Sequence, residues 1–183
     1  MLGDSTVGKT SISNRFLGME FEDTNLMTLG NVKMETKMKM NDGKEMKIII
    51  NDTAGQERFH SIATGTVKIA HGIVLTFDVT NPTSFNNITN WLSEIKELKD
   101  KMPIVLFGNK CDKPEEERKV NSEDAKKLAD ANGLKYFETS AKTNTNIEEG
   151  FKVLLNEAYL KSTGPIGVEL NAKGKKKKNC CKK

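Results

Sequence analysis

The chain has 183 residues and a mass of 20.4 kDa, the size of one domain, and that length buries enough surface to fold without disulfides or a structural metal. Hydrophobic residues make up 36% and charged residues 30%, three cysteines are too few for a disulfide scaffold, and no apolar run reaches the roughly 20 residues of a membrane span. The net charge of +4 is uneven: eight lysines and one acid, Glu169, lie from Lys161 onward, and the rest of the chain is mildly acidic. That distribution argues against a nucleic-acid-binding domain and for a basic electrostatic arm, while the cysteine usage points to a reducing, cytosolic compartment and no secretory signal opens the chain.

In chain order, the first pattern is Gly3-Asp4-Ser5-Thr6-Val7-Gly8-Lys9-Thr10, which fits G-x-x-x-x-G-K-[ST]. Successive N–H groups of Asp4, Ser5, Thr6, Val7, Gly8 and Lys9 in such a loop point inward and cradle phosphate oxygens. The helix that follows turns its positive end on the same anion. Lys9 reaches the β- and γ-phosphates, and the Thr10 hydroxyl is a ligand for Mg²⁺. By itself the pattern indicates a nucleoside triphosphate but not the base.

Val32, Met34, Thr36, Met38 and Met40 recur at period two and predict a half-buried strand. Asn41-Asp42-Gly43 predicts a hairpin turn, and Met46, Ile48 and Ile50 the return strand. Asp52-Thr53-Ala54-Gly55-Gln56 closes it. Asp52, at the end of that strand, is expected to hold Mg²⁺ through water, the Gly55 N–H to bond a γ-phosphate oxygen, and Gln56 to orient an attacking water as the catalytic residue. Taken singly, this segment is also what a glycine-containing turn after a strand looks like.

Ile73–Val79 and Ile104–Phe107 are short apolar runs, as in strands buried on both faces of a parallel sheet; Tyr136–Thr139 is a weaker candidate. Phe85, Ile88, Trp91, Leu92, Ile95 and Leu98 share one helical face. Ala125, Leu128 and Ala129 predict a helix capped by Ser122. Thr145-Asn146-Ile147-Glu148 reads as a capping box opening a last helix with Ile147, Phe151, Leu154, Leu155 and Ala158 on its face. Strands alternating with helices predict an α/β, doubly wound, mostly parallel sheet with one antiparallel hairpin strand.

Asn109-Lys110-Cys111-Asp112 follows the run Ile104–Phe107, at the carboxyl end of a strand, where such sheets bind ligands. The Asp112 carboxylate can accept from both N1–H and the 2-amino group of guanine; adenine lacks both donors, and a carboxylate left unpaired rejects it. Ser140-Ala141-Lys142 follows the next strand, and its N–H groups can meet the guanine oxygen. Each short motif alone is an ordinary loop; their order after a phosphate loop makes the set specific.

With these motifs the chain resembles a small GTPase of the Ras superfamily and, within it, the Rab family. The likeness covers Gly3 to about Leu160 and the terminal cysteines. Asp52-Thr53-Ala54-Gly55-Gln56-Glu57-Arg58-Phe59 has the Rab form of the second switch, and Asp78-Val79-Thr80, Ser84-Phe85 and Trp91-Leu92 are also Rab-like. The resemblance implies the three-layer P-loop GTPase fold, bound GTP or GDP with Mg²⁺, and hydrolysis of GTP to GDP. It makes Thr28 the first-switch threonine, a ligand of Mg²⁺ and of the γ-phosphate, and sets Phe21 against the guanine edge beside Asn109, Lys110, Asp112, Ser140, Ala141 and Lys142. It implies an exchange factor, a GTPase-activating protein, a GDP-dissociation inhibitor and effectors as partners.

The departures are specific. Only Met1 and Leu2 precede Gly3, where the family has a central strand, so a sheet lacking that first strand is expected. Thr6 stands where Rabs often have Gly. The first switch lacks its usual Phe and carries an extra residue. Asn51 replaces a Trp and Thr66-Val67 a Tyr pair, which removes an aromatic cluster that many Rab partners recognise.

Helical periodicity ends after about Lys161, and residues 161–183 are expected to form a flexible basic tail behind a GTPase domain of residues 1–160. Lys175–Lys178 and Cys180-Cys181 close it. The cysteine pair resembles the Rab double-geranylgeranylation site, which implies a protein of the cytoplasmic face of intracellular membranes with a cytosolic pool, regulating vesicle traffic. The alternatives are a non-cycling Rab-like scaffold that holds nucleotide weakly and, less consistent with the base motifs, a P-loop kinase.

Overall fold

The computed structural model describes residues 1–23, 31–53 and 60–163, with residues 31, 60–64 and 163 described in their backbone only. The elements are α1 (Lys9–Phe16), β1 (Asn31–Lys39), β2 (Glu45–Thr53), α2 (His60–Ile69), β3 (Ile73–Asp78), α3 (Pro82–Asn86), α4 (Ile88–Leu98), β4 (Ile104–Asn109), α5 (Ser122–Ala131), β5 (Lys135–Glu138) and α6 (Ile147–Thr163). The alternating methionines form β1, antiparallel to β2 in a register running from Asn31 opposite Thr53 to Lys39 opposite Glu45. The hairpin closes by Met40 N–H donating to Lys44 O at 2.8 Å, with Gly43 in the left-handed region that the turn requires. The apolar runs form β3 and β4, which with β5 make a parallel sheet in the order β3-β4-β5. This is the α/β fold with one antiparallel hairpin.

Phe77 of β3 and Phe107 of β4 are fully buried on opposite faces of the sheet. Phe77 lies in a cluster with Trp91, Leu92 and Ile95 of α4; Phe107 lies in one with Ile12 of α1 and Phe151 of α6. Three layers result, and truncating either ring to alanine costs about 3–5 kcal/mol.

The central position next to β3 is filled by a single residue. Leu2 N–H donates to Val74 O and Thr76 N–H to Leu2 O, both at 2.9 Å, an isolated parallel bridge to Leu75. On its other flank the Met1 amino group donates to Asn51 O and Thr53 Oγ1 donates to Met1 O, each at 2.9 Å. Met1 and Leu2 thus tie the hairpin to the parallel sheet at the end nearest the glycine-rich loop.

Three sequence expectations need correction. The helical face from Phe85 to Leu98 belongs to two helices: α3 ends at Asn86 and α4 begins at Ile88, with Asn81 Oδ1 accepting from the N–H groups of Thr83 and Ser84 ahead of Pro82. The cap of α5 is Asn121, whose side chain accepts from Glu123 N–H; Ser122 is the first helical residue. The Thr145–Glu148 box is not formed. Thr145 bridges Ser140 through its backbone, its hydroxyl lies 2.7 Å from that of Thr143, Asn146 takes a left-handed φ of 54°, and Glu148 pairs with Lys152.

Candidate functional site

The glycine-rich loop joins Leu2 to α1. Its backbone turns through positive φ at Gly3 (132°), Thr6 (62°) and Gly8 (95°). A Cβ on Gly3 would lie 2.1 Å from Thr76 O, and one on Gly8 2.3 Å from Asn109 Nδ2, so both positions are closed to any side chain. α1 starts at Lys9 with no side-chain cap and no acid in its first turn, so its positive end is kept for an anion.

Lys9 is buried and its Nζ donates to Gly3 O at 2.9 Å and Asp4 O at 2.6 Å. Thr10 Oγ1 donates to Asp52 Oδ2 at 2.5 Å. Asp52 is fully buried, and among the described residues its Oδ1 has no hydrogen-bond partner. Burial pushes the Asp52 carboxyl above its ordinary range, against the Thr10 hydrogen bond, the chain's amino group and Lys9, which pull it down. An orphaned carboxylate oxygen beside a hydroxyl is a hard oxygen donor set, which suits Mg²⁺ completed by phosphate oxygens. Among the described residues no cluster of His, Cys, Asp and Glu side chains could hold a metal without such help.

The loops after β4 and β5 converge on the same end of the sheet. Asn109, fully buried, ties them to the glycine-rich loop: its Nδ2 donates to Val7 O at 2.8 Å and its Oδ1 accepts from Ala141 N–H at 3.3 Å. Ser140 Oγ donates to Asp112 Oδ1 at 2.6 Å and accepts from Thr143 N–H at 3.1 Å, which orients an otherwise exposed carboxylate. Lys110 takes a positive φ of 68° and its Nζ pairs with buried Asp78 Oδ2 at 2.6 Å. Lys142 is exposed. Cys111 is half-buried, and burial, then Glu138 and Asp112, push its thiol up.

The Ras family model matches residues 1–160. Ras-related protein Rab-13 of Canis lupus familiaris is 43% identical over 185 residues, 100% of this chain and 90% of its own. Ras-related protein RAB1BV of Beta vulgaris is 44% identical over 152 residues, 82% of this chain and 70% of its own; Ras-related protein Rab-8B of Pongo abelii is 42% identical over 162 residues, 88% and 77%. The chain belongs to the Ras family, as a Rab-type small GTPase.

The Rab family is one of GTPases, and the described part of this member brings together Asp4 to Thr10, Asp52, Asn109, Lys110, Asp112, Ser140 and Ala141 at one end of the sheet. Phe21 is half-buried against the α1–α6 core. Thr28, Gly55, Gln56, Lys175–Lys178, Cys180 and Cys181 lie outside the described residues. Of the Rab departures, Thr66 and Val67 are buried and Asn51 O holds the Met1 amino group.

Sequence reading missed one contact set. The Asp4 side chain turns away from the loop interior to α4, where its carboxylate accepts from Asn87 Nδ2 at 2.7 Å and Trp91 Nε1 at 2.9 Å. The available signal was the spacing of Asn87 and Trp91, one helical turn apart, with an indole N–H that a buried position must satisfy. Asp78, the partner of Lys110, was visible only as part of a Rab-like tripeptide.

Proposed function

We propose that this protein is a membrane-anchored Rab switch that binds GTP, hydrolyses it to GDP, and recruits effectors in vesicle traffic while GTP is bound. The observation that carries the reading is the Asn109 side chain, which joins the phosphate loop at Val7 to the base loop at Ala141. A nucleotide spanning those loops has its phosphates on the N–H groups of Asp4 to Lys9 and its base at Asp112.

The residues divide the work. Lys9 exchanges the carbonyls of Gly3 and Asp4 for β- and γ-phosphate oxygens. Thr10, Thr28 and Asp52 are the proposed holders of Mg²⁺, with Asp52 acting through water. When bound, Mg²⁺ neutralises charge on the phosphate oxygens. The Gly55 N–H bonds the γ-phosphate and Gln56 orients the attacking water. Asp112, held by Ser140, accepts from guanine; the Ala141 and Lys142 N–H groups meet its oxygen; Phe21 covers its edge, and the Lys110 stem, anchored on Asp78, covers its face. Loss of the γ-phosphate frees Thr28 and Gly55, which is the switch.

The domain proper is residues 1–160 and the tail 161–183. Double geranylgeranylation of Cys180 and Cys181 anchors the tail stably where one lipid would be marginal. Lys175–Lys178 add about 1 kcal/mol each at an anionic cytoplasmic leaflet. Exchange factor, GTPase-activating protein, GDP-dissociation inhibitor and effectors are the proposed partners. No helix among the described residues is long and apolar enough to cross a membrane.

The left-handed φ of 62° at Thr6 in the phosphate loop favours a second reading, a Rab-like scaffold that holds nucleotide weakly and does not cycle. Purification with Mg²⁺, followed by identification of the released nucleotide, separates the two: stoichiometric GDP or GTP supports the switch, and an empty protein supports the scaffold. Asp112→Asn should shift preference from GDP to XDP, because the amide reverses one donor–acceptor pair. An unchanged preference removes Asp112 from the base site.

A further inference from the structure

Two ion pairs of the described residues are sheltered from solvent, and both hold the loop that carries Asp112. Pairs such as Lys37–Glu45, Lys47–Glu35 and Lys127–Asp124 join largely exposed side chains, and pairs of that kind contribute little. Lys110–Asp78 and Arg118–Glu138 differ: their side chains are 35% and 7%, and 25% and 27%, exposed. Taking both charges out of water offsets most of their attraction, so such a pair adds little net stability over apolar side chains of the same size. What it fixes is direction, because a planar guanidinium and a planar carboxylate meet in a narrow range of geometries.

The loop is fastened on both sides of Asp112. On the near side Lys110 Nζ sits on Asp78, and Cys111 N–H donates to Thr139 O at 3.0 Å. Lys113 N–H donates to Lys110 O at 3.0 Å, so Cys111 and Asp112 form the tip of a tight turn. On the far side Glu117 and Arg118 N–H donate back to Pro114 O and Glu115 O at 3.0 and 3.1 Å, and Lys119 and Val120 N–H both donate to Val79 O. From this half the Arg118 side chain crosses to β5, where its Nη2 donates to Glu138 Oε1.

Glu138 is the last residue of β5 and stands two before Ser140. Its backbone O accepts from Asn146 Nδ2 at 2.8 Å, just past the loop that Ser140 and Thr145 close by reciprocal backbone bonds. Glu138 therefore holds the Asp112 loop with its side chain and the Ser140 loop with its backbone. Between these two holds, Ser140 Oγ meets Asp112 Oδ1. Cys111, the neighbour of Asp112, registers all three charges: after burial, Glu138 and Asp112 raise its thiol, and Arg118 lowers it. Arg118 is thus placed to neutralise Glu138 beside Asp112, where two unopposed carboxylates would repel.

We propose that Arg118 and Glu138 are positioning residues for base choice, their ion pair holding the Asp112 carboxylate where it accepts from both N1–H and the 2-amino group of guanine. This rests on the reading of Asp112 as the base acceptor. The pair does not touch the base; it acts through the loop that carries Asp112. A two-bond contact needs both donors met at once, and a loop free to swing satisfies one at the expense of the other.

The test is the ratio of equilibrium affinities for GDP and IDP, measured by competition at fixed Mg²⁺ alongside Tm. IDP lacks the 2-amino group and is otherwise the same ligand, so the phosphate loop cancels from the ratio. Arg118→Met/Glu138→Met replaces the ion pair by apolar side chains, which a sheltered site accepts at about the original Tm. Its GDP-over-IDP ratio should fall about 5–10-fold, a large part of what one bond to a charged group supplies. Glu138→Gln, which keeps the shape and one hydrogen bond, carries the same test should the methionine pair not fold, with an expected fall of about 3-fold. The reversed pair Arg118→Glu/Glu138→Arg rebuilds the bridge and should return the ratio to within about 2-fold of the original. Glu117→Gln, which breaks the exposed Lys113–Glu117 pair of the same loop, should leave the ratio unchanged. Folded variants without the Arg118–Glu138 pair that keep the original ratio overturn the proposal, and so does a reversed pair that does not recover it. An unaltered chain with no preference for GDP over IDP refutes the base-site reading and this proposal together, whereas a preference that Arg118 and Glu138 do not control refutes the proposal alone.

Discussion

Thr6→Gly should stabilise the protein. Thr6 holds a φ of 62°, in the left-handed region where a β-branched residue is strained by about 1–2 kcal/mol. It is exposed, and its side chain makes no hydrogen bond among the described residues, so little packing is lost. Glycine adds about 0.5–1 kcal/mol of unfolded-state entropy to be overcome. The net gain is about 0.5–1 kcal/mol, or about 1–4 °C in Tm for a domain of this size. Urea denaturation should show a higher midpoint at unchanged slope. The same loop supplies the opposite sign. Gly3→Ala sets a Cβ 2.1 Å from the Thr76 carbonyl oxygen, and Gly8→Ala sets one 2.3 Å from Asn109 Nδ2, breaking its bond to Val7. Overpacking plus a lost buried hydrogen bond makes each cost about 2–5 kcal/mol. A Thr6→Gly protein no more stable than the original, or a Gly8→Ala protein as stable as the original, would refute the strain argument.

Asp52→Asn should split stability from function. The raised carboxyl means that the folded state resists ionisation, so stability present at acid pH is lost as pH rises from the ordinary carboxylate value through the raised one. The amide should remove that decline in the nucleotide-free protein, while Mg²⁺-dependent GDP retention falls by about 10–100-fold; pH-dependent melting and nucleotide release with and without chelator measure the two. Trp91→Phe keeps an aromatic ring but loses the indole N–H on Asp4, a bond to a charged group that sits near the low end of about 1.5–3 kcal/mol because it is partly exposed. GDP release should quicken about 5–10-fold with a smaller proportional change in Tm, and equal release rates would make the contact ornamental to nucleotide retention. Replacing both Cys180 and Cys181 by Ser should leave the protein soluble in cell fractionation, and replacing one should leave weak association that washes off; membrane retention of the double variant would place the anchor elsewhere.

What the sequence made legible followed from periodicity and from motifs that are local in the chain. Alternation at Val32 to Met40 and at Met46 to Ile50 predicted a hairpin, which the structure shows, because period two sets which residues share a face. Buried parallel strands were legible as Ile73–Val79 and Ile104–Phe107. The break at Asn87 was not, since the apolar face continues across it in phase. Asn121 was passed over for Ser122 because adjacent residues cap equally well on composition, and the Thr145 box failed because Thr145 is recruited by Ser140 in the loop it flanks. At the site, the glycine-rich loop and the Asp112 loop were readable, but the bonds that join them were not. Asn109 to Val7 and Trp91 to Asp4 connect residues about a hundred positions apart, and no spacing rule reaches that far.

The Asn109 bridge makes the two binding loops one rigid body, and rigid bodies bind linked ligands as chelates do. Once one end of a nucleotide is seated, the other end meets its loop at the effective concentration of a short tether, far above that of a free fragment. Guanosine and pyrophosphate supplied separately should then bind far more weakly than their joined form, with a deficit that no single contact accounts for. Release follows the same logic in reverse: a partner that pries open either loop need not touch the other, because freeing one end turns a held chelate into a weakly bound monodentate ligand.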